Sequence, residues 1–381
     1  MPDNPLKKNA GNKIRALSFL EYFKSRGFRV HFVSEYYWGE WNDQDIKQFE
    51  KSGLADKIDV LKRKASKKNL LHYFLTYKLP NFFFKRKWGI LPVNFPEMVT
   101  IRLKRSFNRI LKNNKFDYIL LNYASWSTLI ENNKLIGNAQ VVLDTHDLLS
   151  AQNSHKYHLG ASFQEEMRRL SLFDEVLAIS AEENYIFEQF CNTKVTLAPM
   201  MISRPPSSII SVEERTFDLI YVASNNPHNI DAANWFMSKV YPLLPASIKI
   251  CIIGQITTFI KGEYSNITLI PYIKDLNTIY QDAKIAICPM LSGTGTKIKV
   301  IEAISNNLPV VCNSRGVDGL LNKIDNGCLV SDDPEGFKNH ILSLLNNKDI
   351  YLQQSLYAKR NYEAVYELNA CYQRLDQLFQ L

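Results

Sequence analysis

Short runs of apolar and β-branched residues recur along the chain at intervals that leave room for a helix between them. In the first half they are FRVHFV from Phe28, KIDVL, DYILLNY, QVVLD, EVLAIS and KVTLAP. In the second half they are FDLIYVA, IKICII, NITLI, KIAICPM, PVVCN and GCLV. Each run is short enough to be a strand buried on both faces. Between them lie helical patterns such as KIRALSFLEYFKSRG, in which Ile14, Leu17, Leu20 and Tyr22 follow the 3.6 period and Gly27 supplies the stop. Strands and helices alternating in this way predict α/β architecture, a parallel sheet with helices on both faces. The pattern occurs twice. APMMISRPPSSIISVEER, from Ala198 to Arg215, has three prolines and no periodicity and reads as the linker between the two halves. Two doubly wound domains joined by a hinge predict a ligand in the cleft at the carboxyl ends of the strands.

Composition narrows the class. The 381 residues are 46% hydrophobic and 22% charged, enough for two globular domains and unlike a fibrous or disordered chain. No stretch nears the roughly 18 apolar residues of a membrane span, and MPDNPLKKNAGNK has no signal-peptide core, so a cytoplasmic protein is expected. Six dispersed cysteines without metal-ligand spacing read as reduced thiols, three of them inside strand runs.

Charge changes the picture more. The net +8 is concentrated between Leu61 and Phe116, where 15 Lys and Arg accompany one acid, Glu97, and leave the rest of the chain at −6. The same segment holds Tyr73, Phe74, Tyr77, Phe82, Phe83, Phe84, Trp88 and Phe95 around Lys85, Arg86 and Lys87. Such interleaving suits an anionic membrane surface, a stacked nucleic acid strand, or a solvated face over an aromatic core.

The strongest local chemistry runs from Lys284 to Asn307. A strand, KIAICPM, leads through LSGTGTK into the helix pattern IKVIEAIS. Gly293 and Gly295 allow a tight turn and close backbone approach, while Thr294 and Thr296 offer hydroxyls and a helix cap. Lys297 in the first turn is disfavoured by the helix dipole unless an anion joins it, which predicts an anion site with Lys299 nearby. Glu302, further in, is placed to accept hydrogen bonds from a ribose diol. The alternative is a Thr-capped helix with an i,i+3 pair between Lys299 and Glu302. His146, at the end of QVVLD and between Asp144 and Asp147, is a candidate at a strand's carboxyl end, the alternative being a His that a neighbouring carboxylate merely holds in place. His155 and His158 lack a third metal ligand, no D-x-D motif is evident, and Asp332 and Asp333 read as caps before Pro334.

GTGTKIKVIEAISNNLPVVCNSRGVDGL resembles the donor-site segment of the bacterial retaining glycosyltransferases of the GT-B fold, the glycosyl transferases group 1 family. VVLDTHD, EEMRRLSLFDEVLAISAEE, LIYVASNNPHNIDAANWFMSKVYPLL and GNKIRALSFLEYFKSRGFRV resemble other parts of that family in the same order. The resemblance implies two Rossmann-like domains facing across a cleft. It implies that Glu302 holds the nucleotide ribose and that Thr294, Gly295, Thr296 and Lys297 surround the donor diphosphate and sugar; Gly293 and Lys299 beside them complete the candidate donor-binding set. It implies that His146 contacts the donor sugar, and that Gly11 and Arg15 face the diphosphate or acceptor. Catalysis is thereby assigned to His146, Lys297 and Glu302, without metal or cofactor.

Three features depart from the family. Thr294 stands where many relatives have the first of a pair of acids. SNNPHNID stands where many have an Arg and a Lys. The family's first strand, before the glycine loop, has no counterpart in PDNPLKKNA, so an unpaired edge beside FRVHFV is expected.

The resulting expectation is an acceptor domain over 1–200, a donor domain over 215–360, and a C-terminal helix, 361–381, packing back on the first domain. The enzyme would move a sugar from a nucleotide-diphosphate donor to a surface glycan, lipid-linked, with retention, at the inner face of the membrane. Lys85, Arg86, Lys87 and Trp88 would touch that anionic surface, and no nucleic acid partner is expected. The alternatives are a nucleotide-sugar 2-epimerase of the same fold, a nucleic-acid-binding protein using 61–116, and a catalytically silent partner subunit.

Overall fold

The computed structural model describes residues 3–8, 10–87, 94–206, 210–293 and 295–381, Lys87 without its side chain. The chain divides into two compact units, Met1–Ile179 with Glu183–Leu197, and Ser180–Glu182 with Ala198–Leu381.

All twelve apolar runs form strands. In the first unit they are β1 (His31–Glu35), β2 (Lys57–Leu61), β3 (Tyr118–Asn122), β4 (Gln140–Asp144), β5 (Glu175–Ala178) and β6 (Lys194–Leu197). In the second they are β7 (Phe217–Val222), β8 (Ile250–Ile253), β9 (Ile267–Ile270), β10 (Ala283–Cys288), β11 (Val310–Cys312) and β12 (Cys328–Val330). Every pairing is parallel. Burial explains the pattern: all residues of β5, β8 and β11 are buried, so these strands need apolar side chains on both faces. Cys251 of β8 and Cys312 of β11 are among them, Cys288 is buried at the end of β10, and all six cysteines are free thiols.

The second unit has one six-stranded sheet in the order β12-β11-β10-β7-β8-β9. The first unit departs from the single sheet expected. It has a two-stranded sheet, β1-β2, and a four-stranded sheet, β3-β4-β5-β6. Among the described residues no strand joins β1 to β3, and residues 5–7 form a 3-10 turn. Aromatic side chains span the division instead, with Phe28 against Tyr118 (6.4 Å between ring centroids), His31 against Phe116 (5.9 Å) and Trp38 against Tyr123 (5.9 Å). The helix Gly11–Ser25 buries Ala16, Leu17, Phe19, Leu20 and Tyr22, and Gly27 at φ +73° ends it in the left-handed conformation.

The stretch read as a linker is fastened to the second unit. Ile202 N donates to Tyr366 O (3.0 Å), Tyr362 Oη donates to Ile202 O (2.9 Å), and Arg204 pairs with Glu363 and Glu367. Asn361 lies inside the helix Lys348–Val365, which a short break separates from the last helix, Leu368–Leu378. We expect Tyr362→Phe to lower the unfolding free energy in urea by about 1 kcal/mol, the usual net worth of one such bond. Arg204→Ala, which removes two surface ion pairs and a cation–π contact with the Tyr362 ring (5.6 Å), should cost about 1 kcal/mol.

Candidate active site

In the second unit β7 and β10 are neighbours, yet the chain continues from β7 to β8 on one side and from β10 to β11 on the other. Their carboxyl ends therefore mark a topological switch point, where the connecting loops part and leave room for a ligand. After β7, Asn226 caps the helix Pro227–Trp235, accepting from Asn229 N, with Pro227 at the first helical position. After β10, residues 289–297 lead into the helix Ile298–Ser305. The two loops meet: His228 Nδ1 lies 2.7 Å from Ser292 Oγ, and Lys299 Nζ donates to Asn229 Oδ1 at 2.7 Å.

Gly293, at φ +99°, belongs where the loop passes His228, since a Cβ there would sit 3.5 Å from the imidazole in a conformation that side chains rarely adopt. Lys297 is buried and gathers the loop around its ammonium, donating to Gly295 O (2.8 Å) and Gly293 O (3.3 Å). Burial lowers its pKa. Lys299, also lowered by burial, lies over the Tyr221 ring at 5.4 Å. Desolvation pushes the Glu302 carboxyl up to about 7, against the opposing pull of Tyr280 and Lys299.

Two expectations about this helix change. Lys297 occupies the cap position without a side-chain cap bond, and Thr296 Oγ1 is buried with no hydrogen-bond partner among the described residues, so Thr296 is not the cap. Lys299 turns to Asn229, and no ion pair joins it to Glu302 among the described residues. Thr294 lies outside the described residues.

In the first unit the carboxyl ends of β3 and β4 hold a buried polar cluster. Arg15, 1% exposed, reaches Asp144 through Nε (2.9 and 3.1 Å) and Nη2 (2.7 Å), and lies over the Phe19 ring. Burial alone would raise the Asp144 carboxyl, but Arg15 and His146 reverse this and hold it below the usual carboxylate range. Asn122 Nδ2 donates to Asp144 Oδ2 (3.0 Å), and His146 Nε2 lies 2.9 Å from Asn122 Nδ2 and 3.0 Å from Asp144 Oδ2. Tyr123 stacks on His146 at 4.4 Å, and both residues have positive φ, +68° and +66°. Strained backbone at two adjoining strand ends is typical of a site whose side chains must point one way. Gly11 opens the helix that carries Arg15.

Residues 216–347 match the Glycosyl transferases group 1 family. That matched segment lies within the second unit, and the chain as a whole has the GT-B fold. A 44.6 kDa uncharacterized protein in the cps region of Klebsiella pneumoniae is 22% identical over 95% of both chains. Anabaena HepE, solved with UDP, superposes with a TM-score of 0.64 at 12% identity over 96% of each chain. A TarM variant of S. aureus, solved with fondaparinux, α-GlcNAc-glycerol and UDP, does so at 0.65 and 13% identity over 98% of this chain and 97% of that one. Sucrose-phosphate synthase from Thermosynechococcus elongatus gives 0.61 and 13% over 97% and 93%. At such identities these likenesses establish the fold.

In the first unit the loop that carries His146 is held from behind by two buried acids. Glu166 accepts from Leu149 N and Ser150 N, both at 2.8 Å, and Glu183 accepts from Ile179 N at 3.4 Å and from the Leu148 backbone. Neither acid stands out in the sequence, nor do Asn122, Tyr123, His228 and Asn229. Their roles come from contacts between distant segments, and their only signal is a place just beyond or beside a strand end. Asp333 caps Pro334–Asn346 as expected, while Asp332 accepts from Ser314 N, and His158 caps Leu159–Leu170. Among the described residues no three His, Cys, Asp or Glu gather as a metal site.

Burial, with Asp147 adding to it, pushes the Glu183 carboxyl up to about 8 from an ordinary 4.5. Between those values the folded chain keeps a proton that the unfolded chain has released, so this group's contribution to stability falls as pH rises through the window. Glu183→Gln should therefore gain stability relative to the parent from pH 5 to pH 8, by up to a few kcal/mol, in parallel urea titrations. A constant difference across that range would contradict the assignment.

Proposed function

We propose that this protein is a glycosyltransferase of the group 1 family that moves a sugar from a nucleotide-diphosphate donor to a growing surface glycan carried on a lipid, with retention at the anomeric carbon, at the inner face of the cell membrane. The observation that carries the donor reading is the switch point of the second unit, where Lys297, Lys299 and Glu302 surround the start of one helix. Breaking a sugar–phosphate bond leaves negative charge on the departing diphosphate. Two lysines and the helix's terminal N–H groups stabilise that charge, so the reaction we propose is metal-independent. Glu302 accepts from the ribose hydroxyls, and the unpartnered Thr296 hydroxyl provides one further polar contact. His146, held by Asn122, Asp144 and Tyr123, acts on the donor sugar, and Arg15 fixes that cluster by pairing with Asp144. The relative in the cps region supports a capsule-type acceptor, and UDP in HepE and TarM supports a uridine nucleotide as the first donor class to try.

A panel of UDP-, GDP- and other activated sugars, scored for thermal stabilisation and slow donor hydrolysis, tests this, since a bound donor raises the melting temperature by mass action. A panel without any stabilising nucleotide would overturn it. Glu302→Ala should weaken donor binding, and Lys297→Ala should lower kcat more than affinity, each by about 2 to 4 kcal/mol.

The ionised form of Glu302 is the ribose acceptor and its carboxyl titrates at about 7, so donor affinity should rise with pH toward 7 and level off above it. Below that value it should fall by up to about tenfold per pH unit. Titration calorimetry on the parent and on Glu302→Gln checks this, with the variant expected to lose the dependence.

A further inference from the structure

The basic and aromatic segment resolves into parts with opposite fates. Leu70–Tyr73, Phe74–Lys78 and Leu79–Lys87 run on as one helical stretch, with a π turn in the middle. One side faces the first unit's core: Tyr77 is buried, Phe84 packs on the core cluster, and Asn81 Oδ1 accepts from Ile101 N at 3.1 Å. The other side is apolar and bare. Leu70 and Leu71 are 72% and 69% exposed, Leu75 54% and Phe83 58%, and Phe74, Leu79 and Phe82 are exposed as well. The four-residue spacing of 71, 75, 79 and 83, maintained through the π turn, aligns them in a stripe. A stripe of this length is uncommon on a protein that meets only water.

The charge around it has one sign. Lys64, Lys67 and Lys68 are exposed just ahead of the helical stretch, Lys78 and Arg86 are exposed along it, and Lys85 is half-buried. Cations before a helix N-terminus are unfavourable unless anions join them. The one acid of 61–116, Glu97, is turned inward, where it accepts from Val99 N and Thr128 Oγ1 and pairs with Arg169 at 3.0 Å. The next helix, Ile101–Asn113, starts against Asn81 and exposes Arg102, Arg105, Arg109 and Lys112. Trp88 lies outside the described residues.

We propose that the Leu70–Lys87 stretch is an interfacial wedge that lies in the surface of an anionic phospholipid bilayer, with Leu71, Leu75, Leu79, Phe82 and Phe83 in the acyl boundary and the surrounding cations on lipid phosphates. This rests on the lipid-linked acceptor reading and gives it a docking element. The charge complementarity decides the occupant. Protein interface cores are depleted in lysine, and the leucines that make up most of the stripe give bases nothing to stack on, whereas a bilayer takes leucine and phenylalanine insertion and phosphate pairing together. No helix among the described residues is long and apolar enough to cross a membrane, so the element lies on the surface and does not span.

The experiment uses the full chain with vesicles of phosphatidylcholine alone and of phosphatidylcholine mixed with phosphatidylglycerol. The parent should sediment with the mixed vesicles, and salt should weaken that binding without abolishing it, because insertion is not screened. Leu71→Ser with Leu75→Ser and Phe83→Ser should bind at least about tenfold more weakly. An environment-sensitive dye on Leu75→Cys should shift to the blue on mixed vesicles only. Donor-induced thermal stabilisation should be unchanged in both variants, so a failure of the donor reading registers separately from a failure of the wedge. The proposal is overturned if the parent binds no vesicle, if the serine variant binds as the parent does, or if the dye does not shift. It is overturned equally if the serine changes convert an oligomer to a monomer, or if oligonucleotides bind while vesicles do not.

Discussion

Two parallel strands that lie side by side but send their chains to opposite sides of a sheet cannot close the space beyond their own ends. In the second unit β7 and β10 are that pair, and the candidate donor site is a consequence of their arrangement. The loops that leave them are forced together at their bases, which is why His228 reaches Ser292 and Asn229 reaches Lys299 across long separations in sequence. Buried β-strand carbons below hold the floor rigid, and the glycines of the second loop let the backbone curl around the Lys297 ammonium. The loop is shaped by its own cation before any ligand arrives, the kind of preorganisation that makes charge stabilisation effective.

The first unit solves a related problem with buried charge. An ion pair as enclosed as Arg15 and Asp144 has a large desolvation cost, and its chief value lies in fixing geometry, since removal of either partner leaves the other charge stranded. It ties the first helix to the end of β4 and orients Asn122 and His146 beside it. Glu166 and Glu183 hold the following backbone, at positions where burial favours their neutral forms. The His146 loop is thus set by groups in four separate segments.

The strands could be read from the sequence because a parallel strand buried on both faces must be a continuous apolar run, and all twelve such runs became strands. Sheet order could not, because pairing is a contact between distant segments. The division of the first unit between β1 and β3 became visible only in the structure, where rings of Phe28, His31 and Trp38 stand in for strand pairing. The candidate donor loop is readable from its glycines, lysines and Glu302, but not its cap, since Thr296 looks like a capping residue in sequence and Lys297 takes the position in space. His146 could be singled out by its place at a strand end, whereas Glu166 and Glu183 look like ordinary helix surface residues. Composition likewise merges the aromatics of 61–116 into one cluster. Phe95 is in the core and Phe82 and Phe83 are on the surface, a distinction that only packing makes.

The central claim is that the β7–β10 switch point holds the nucleotide diphosphate. A crystal structure of the chain with UDP bound tests it most directly. The account predicts the ribose at Glu302 and the diphosphate against the 291–297 loop and the start of the helix Ile298–Ser305, with Lys297 or Lys299 in contact with a phosphate oxygen. A nucleotide bound elsewhere, with Glu302 and both lysines untouched, would contradict it.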